Sequence, residues 1–210
     1  LITYLRRIII MARIITVAHQ KGGVGKSTLV LNLAYIFSKQ MRTALADIDP
    51  QGSIIQLQDI IKDVDIIEGK YLDELSASDL YDIIFVDTPP YLTDALLPLF
   101  TQSDLVLIPT KAGVPDIMAI RATIELVQVA QRRKSSLKSA IVLNMVKPRA
   151  SVTWQAKEQL SKYKLAILAE IKDRVSYNNT FLLGGDFFGV DVLAQQEIEY
   201  LSNEIIRLMQ

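Results

Sequence analysis

Gln20-Lys21-Gly22-Gly23-Val24-Gly25-Lys26-Ser27-Thr28 decides how this chain is read. Its closely spaced glycines let the backbone bend tightly around an anion. The main-chain N–H groups of such a loop can line up around phosphate oxygens. A lysine and two hydroxyls follow, and an apolar-periodic helix begins at Leu29. Phosphate would therefore sit at a helix N-terminus, where unpaired N–H groups and the helix dipole favour negative charge. Gly22, Gly23, Val24, Gly25, Lys26, Ser27 and Thr28 are the candidate cradle for a nucleoside triphosphate. The usual spacing G-x-x-x-x-G-K-[ST] would put its first glycine at position 20. This chain has Gln20 there, with an extra lysine, Lys21, at the loop's front. The bland alternative is a glycine-rich strand-to-helix turn with incidental lysines.

Working outward, apolar runs suited to buried strands alternate with helical patterns. That alternation argues for an α/β fold with a parallel sheet. The expected strands are Arg13–Ala18, Thr43–Ile48, Val64–Ile67, Ile83–Val86, Leu105–Ile108, Ala140–Asn144 and Leu165–Ala169. The expected helices are Ser27–Lys39, Tyr71–Ser76, Thr93–Phe100, Asp116–Arg132, Val152–Tyr163 and Val190–Met209. In open sheets of this class, ligands bind in the crevice at the C-terminal strand ends.

Two strand ends deliver carboxylates there. Asp47-Ile48-Asp49-Pro50-Gln51-Gly52-Ser53 follows the second strand. A carboxylate beside a triphosphate can orient the attacking water or reach a magnesium shell, although a turn aspartate or helix cap is the alternative. Tyr81-Asp82-Ile83-Ile84-Phe85-Val86-Asp87 ends another strand on Asp87, and Thr88-Pro89-Pro90 continues it. This is Walker B geometry, in which Asp87 holds magnesium through water while Ser27 ligates it directly. Magnesium keeps several waters, so two protein oxygens suffice.

Composition bounds the rest. The chain has 210 residues and reads as one domain, residues 11–210, behind a ten-residue extension that precedes Met11. A short amphipathic arm is the other reading of residues 1–10. Half of the residues are hydrophobic, as a sheet buried on both faces requires. There is no cysteine, which removes disulfides, thiolate metal sites and a cluster-bridging reductase. Lysine plus arginine equal aspartate plus glutamate, 23 each, so any DNA surface must be a local patch. The densest basic run is Gln131-Arg132-Arg133-Lys134-Ser135-Ser136-Leu137-Lys138, with Lys147-Pro148-Arg149, Lys162 and Lys164 beyond it. Cations at a helix end also complement the helix dipole, so this run has two readings. His19 reads as a packed histidine rather than a base, and Trp154 as core or surface packing. The C-terminal helix pattern is amphipathic but acidic. A membrane-anchoring helix wants a basic polar face, so no membrane partner is expected.

The K-G-G-x-G-K-S-T loop resembles the deviant Walker A loop of the ParA/MinD ATPases, and the D-x-D-P-Q-G run resembles their ParA branch. The resemblance extends in order and length from Met11 to the C-terminus. It implies a P-loop NTPase-like fold, a mostly parallel twisted sheet with helices on both faces. It implies ATP with Mg2+, hydrolysed to ADP and phosphate, in an ATP-dependent homodimer. By it, Lys26 reaches the β- and γ-phosphates, and Lys21 crosses the dimer interface to the partner's nucleotide. Asp49 positions the hydrolytic water, with Asp47 its close neighbour, and Asn144 meets the adenine. Thr88-Pro89-Pro90 resembles the family's switch segment, and Ile171-Lys172-Asp173-Arg174 would wall the base from the other side. The role implied is partition of plasmid or chromosomal DNA. It involves non-specific double-stranded DNA, a ParB-like centromere-binding or adaptor protein, and a cytoplasmic, nucleoid-associated location. Alternatives are positioning of a protein cargo (a chemotaxis cluster or microcompartment), MinD-like septum positioning, and a metabolic ligase of the same fold.

Overall fold

The strand β1 (Arg13–Val17) places Ile15 and Val17 on one face and Ile14 on the other, all buried. The same two-residue alternation recurs across the sheet because successive side chains of a strand point to opposite faces. The computed structural model describes residues 11–50, 52, 54–147, 151–180 and 191–210. Residues 1–10 lie outside these, as do Gln51, Ser53, Pro148 and Arg149 from the sequence motifs.

From β1 the chain enters α1 (Lys26–Ser38) and then β2 (Thr43–Asp47). β3 (Asp65–Glu68), α2 (Leu72–Ser76), β4 (Ile83–Asp87), α3 (Leu96–Gln102) and β5 (Leu105–Thr110) follow. The remaining elements are α4 (Val114–Arg133), β6 (Lys138–Val146), α5 (Ser151–Ser161), β7 (Ala166–Lys172), α6 (Val175–Asn179) and α7 (Val192–Leu208). The strands form one parallel sheet in the order β3-β2-β4-β1-β5-β6-β7. The expected fold class is therefore the observed one. Every expected strand and helix is present with ends shifted by a few residues, while the short α6 had not been read from its sequence.

Two cores result, one on each sheet face. On the first, α1 and α7 cover Ile15, Val17, Leu45, Phe85, Leu107 and Val142. α1 buries Leu29, Val30, Leu31, Leu33, Ala34, Tyr35 and Phe37, nearly its whole circumference, because it lies between sheet and α7. Phe37 meets Phe85 edge-to-face at 5.3 Å, a geometry worth roughly 1 kcal/mol beyond burial. On the second face, α3, α4 and α5 cover Ile14, Ile84, Val86, Val106, Ile108 and Ile141. The amphipathic C-terminal pattern has its explanation here: α7 turns Ala194, Ile198, Leu201, Ile205 and Ile206 into the first core. Among the described residues, no helix is long and apolar enough to cross a membrane.

β1 sits mid-sheet, with β4 and β2 on one side and β5 on the other. The chain thus turns from β1 into α1 where the connections diverge, the place where sheets of this kind form a ligand crevice. Val17, Asp47 and Asp87 lie at one level there, paired through β4.

Candidate active site

The loop between β1 and α1 is held from both sides. Gln20, where the usual motif has glycine, donates its backbone N–H to Thr123 Oγ1 at 3.3 Å and its side-chain amide to the Ala119 carbonyl. It anchors the loop's front to α4. His19 is 2% exposed, and its Nδ1 accepts the Lys21 N–H at 2.9 Å. Burial holds His19 neutral, lowering its pKa from 6.5 to about 4, and the nearby Lys26 charge adds to this. At the rear, Gly25 has φ +85°, which an L side chain rarely adopts. A Cβ there would run into the Asn144 amide, so glycine is required twice over. α1 has no side-chain cap, and Leu29 N–H to the Gly25 carbonyl, 2.9 Å, opens its hydrogen-bond ladder. The N–H groups ahead of it are the orphan donors that any helix start presents.

The charged groups converge on this turn. Lys26 is buried, which lowers its pKa, while Asp87 and then Asp49 favour its charged form. Ser27 Oγ donates to Asp87 Oδ2 at 2.5 Å. Burial pushes the Asp87 carboxyl up to about 7, opposed by the Ser27 hydrogen bond and the Lys26 charge. Asp87 Oδ1 is buried with no hydrogen-bond partner among the described residues. A hydroxyl and a carboxylate with a spare oxygen fit a hard cation that retains water. Among the described residues, no cluster of three or more His, Cys, Asp or Glu could hold a metal, so tighter all-protein coordination finds no support. Asp47 accepts the N–H groups of Asp49 at 3.0 Å, Ile54 at 3.0 Å and Ile55 at 3.1 Å. Its geometry shapes the turn that presents Asp49, the part of the turn-aspartate reading the structure supports.

Lys21 points elsewhere. Its Nζ pairs with Asp116 Oδ1 at 2.6 Å, with the lysine 41% and the aspartate 11% exposed. Asn144 donates its amide to the Val24 carbonyl at 2.8 Å. Met145 beside it has φ +53°, at an irregularity in the β6–β7 pairing. Asn144, Met145, Thr28, Asp173, Arg174 and Tyr177 line a crevice of about 40 Å³, so a purine there requires its walls to part. The sequence did not point to Asp116, which reads as an ordinary acid in a helix's first turn after Pro115.

The basic run divides. Arg132, Arg133 and Lys138 lie at the sheet's N-terminal end, opposite the loop, and Lys164 precedes β7 at the same end. Lys134 is occupied by the Gln102 and Ser103 carbonyls at 2.9 and 2.8 Å. Lys147 follows β6 at the loop's end. A recess of about 710 Å³ at the N-terminal end sets Lys39, Arg42 and Lys62 against Asp63 and Asp65, so it offers no single-sign field. Trp154 is a surface residue, 70% exposed.

Comparison with known proteins fits this geometry. The family described as CobQ/CobB/MinD/ParA nucleotide binding domain matches residues 15–183. The maintenance of carboxysome distribution protein A of Halothiobacillus neapolitanus is 29% identical over 91% of this chain and 95% of its own. The chromosome partitioning protein ParA of Myxococcus xanthus is 28% identical over 73% of this chain and 72% of its own. The crystal structure of cobyrinic acid a,c-diamide synthase from Mycobacterium smegmatis, with bound ADP and magnesium, superposes with a TM-score of 0.72. That structure is 17% identical and covers 94% of this chain and 95% of its own, a likeness of fold.

Proposed function

The chain belongs to the CobQ/CobB/MinD/ParA nucleotide-binding family, and on that premise we propose that it is an ATP-hydrolysing, DNA-carried positioning ATPase. The observation that carries the reading is the Ser27–Asp87 hydrogen bond beneath the glycine loop, with the second Asp87 oxygen left over. The triphosphate lies along the loop from Gly22 to Thr28. Lys26 neutralises its terminal phosphates. Ser27 and Asp87 would hold Mg2+, which would supply positive charge against the phosphoryl oxygens. Asp49, presented by the turn that Asp47 braces, orients the attacking water. Catalysis of this kind is chiefly positioning and electrostatics, so no nucleophilic side chain is needed.

Lys21 completes the site of a second copy. ATP supplies negative charge that two facing lysines need before their protomers can close, which makes dimerisation ATP-dependent. The dimer binds DNA phosphates without sequence preference and segregates plasmid or chromosomal DNA, with a ParB-like partner stimulating hydrolysis. A second reading keeps this cycle and changes the cargo to a protein assembly. The near-full-length match to a carboxysome distribution protein favours it, since the partition relative aligns over less of both chains.

Both readings need DNA, and co-sedimentation with plasmid DNA under ATP, ADP or no nucleotide, at two salt concentrations, tests that need. The expected result is ATP-selective binding that weakens steeply with salt. Indifference to DNA in all states refutes the DNA-carried cycle. Cellular imaging then separates the cargoes: loss of the chain either randomises plasmid copies or scatters a protein assembly.

A further inference from the structure

The C-terminal helix α7 carries an acid, Glu197, whose oxygens are taken up by the segment that walls the crevice beside Asn144. Glu197 Oε2 accepts the Lys172 backbone N–H at 2.9 Å and the Tyr177 hydroxyl at 2.9 Å. Its Oε1 accepts Arg174 Nη2 at 2.7 Å and Arg174 Nε at 3.1 Å. Four donors from three residues therefore meet one carboxylate that is only 16% exposed. Such charge-assisted, forked pairing fixes geometry as well as adding energy.

The surrounding contacts give the segment a frame. Asp191, the N-cap of α7, accepts Ser176 Oγ at 2.7 Å and the Ala194 N–H at 3.0 Å. Thr180 Oγ1, fully buried, reaches Asn32 Oδ1 at 3.1 Å, and Asn32 lies on the phosphate-loop helix α1. Residues 172–177 are thus tied to α7 by Glu197, with α1 closing the far end. Lys172, Asp173, Arg174 and Tyr177 line the crevice together with Asn144 and Met145. On its own helix Glu197 reads as a solvent-facing acid. Its donors all come from the wall.

We propose that Glu197 is a positioning residue for the nucleotide base: it fixes the shape of the Lys172–Tyr177 wall, against which the purine packs once the crevice opens, while the phosphate loop binds the triphosphate independently. This rests on the nucleotide-site reading given above. Among the described residues, Glu197 bonds to the wall and not to the glycine loop or its lysines, so the two halves of the ligand are separable. A helix-stabilising role alone would weaken both halves together.

The test is calorimetric titration of the full chain with Mg-ATP and, separately, with magnesium tripolyphosphate, which has the phosphates but no base. Wild-type protein should bind both. Glu197→Gln keeps the side chain's size and one acceptor but loses the charged fork. It should weaken Mg-ATP about tenfold or more and leave tripolyphosphate within about twofold. Arg174→Gln removes the fork from the other side and should shift the same ratio in the same direction; it decides the matter if Glu197→Gln does not fold. Unchanged ATP affinity in folded Glu197→Gln overturns the assignment, as does equal weakening of both ligands in both variants. Wild-type protein that binds neither ligand overturns instead the nucleotide-site reading itself.

Discussion

Asp116→Asn should make the protein dimerise more readily, if Lys21 serves the partner's nucleotide. In the monomer, Lys21 is held by Asp116 at 2.6 Å within its own chain. It must leave that carboxylate to reach across an interface. The lysine is 41% exposed, so solvent screens the pair, and its net worth lies near the upper end of surface ion pairs, about 1 kcal/mol. Closing a symmetric dimer releases two such pairs, about 2 kcal/mol in all, or roughly a thirtyfold factor in the dimer dissociation constant. Asparagine keeps the shape and one acceptor while removing the charge. Sedimentation equilibrium with a non-hydrolysable ATP analogue should therefore give a constant about ten- to thirtyfold tighter for Asp116→Asn than for wild type. Lys21→Ala, as the counterpart, should bind nucleotide and stay monomeric. Asp116→Asn that dimerises no better than wild type, or worse, refutes the argument: Asp116 would then not restrain the lysine, or would belong to the closed state.

Gly25→Ala combines a left-handed backbone, φ +85°, with a Cβ driven into the Asn144 amide. Strain of roughly 1–2 kcal/mol plus a displaced hydrogen bond should lower the denaturant midpoint and abolish detectable ATP binding. His19, the chain's only histidine, gives a pH signature. Its pKa falls from 6.5 to about 4 on folding, so the unfolded chain takes the proton first as pH drops. The stability held above pH 6.5 is lost progressively toward pH 4, by about 3 kcal/mol. Urea titrations of His19→Asn across that window should lose this component of the slope. Phe85→Ala empties the centre of the first core and should lower unfolding free energy by about 3–5 kcal/mol, read from urea melts.

The strands were legible because most are short β-branched or leucine-rich runs, the form demanded when helices cover both faces of a parallel sheet. Lys26, Ser27 and Asp87 were legible because loop chemistry and a strand-ending acid restrict where they can lie. Asp116 was not, since its significance depends on a partner 95 residues away. Glu197 was hidden for the same reason, as its neighbours in sequence describe an amphipathic helix and say nothing of the wall it grips. Lys134 misled in the opposite direction: in a basic run it reads as available for phosphate, whereas backbone carbonyls occupy it. The helix Val175–Asn179 is too short to show a period.

The measurement closest to the central claim is a calorimetric titration of the folded wild-type chain with ATP and magnesium. The account predicts saturable binding at one site per chain, lost in Lys26→Ala. A flat trace from protein shown to be folded contradicts it.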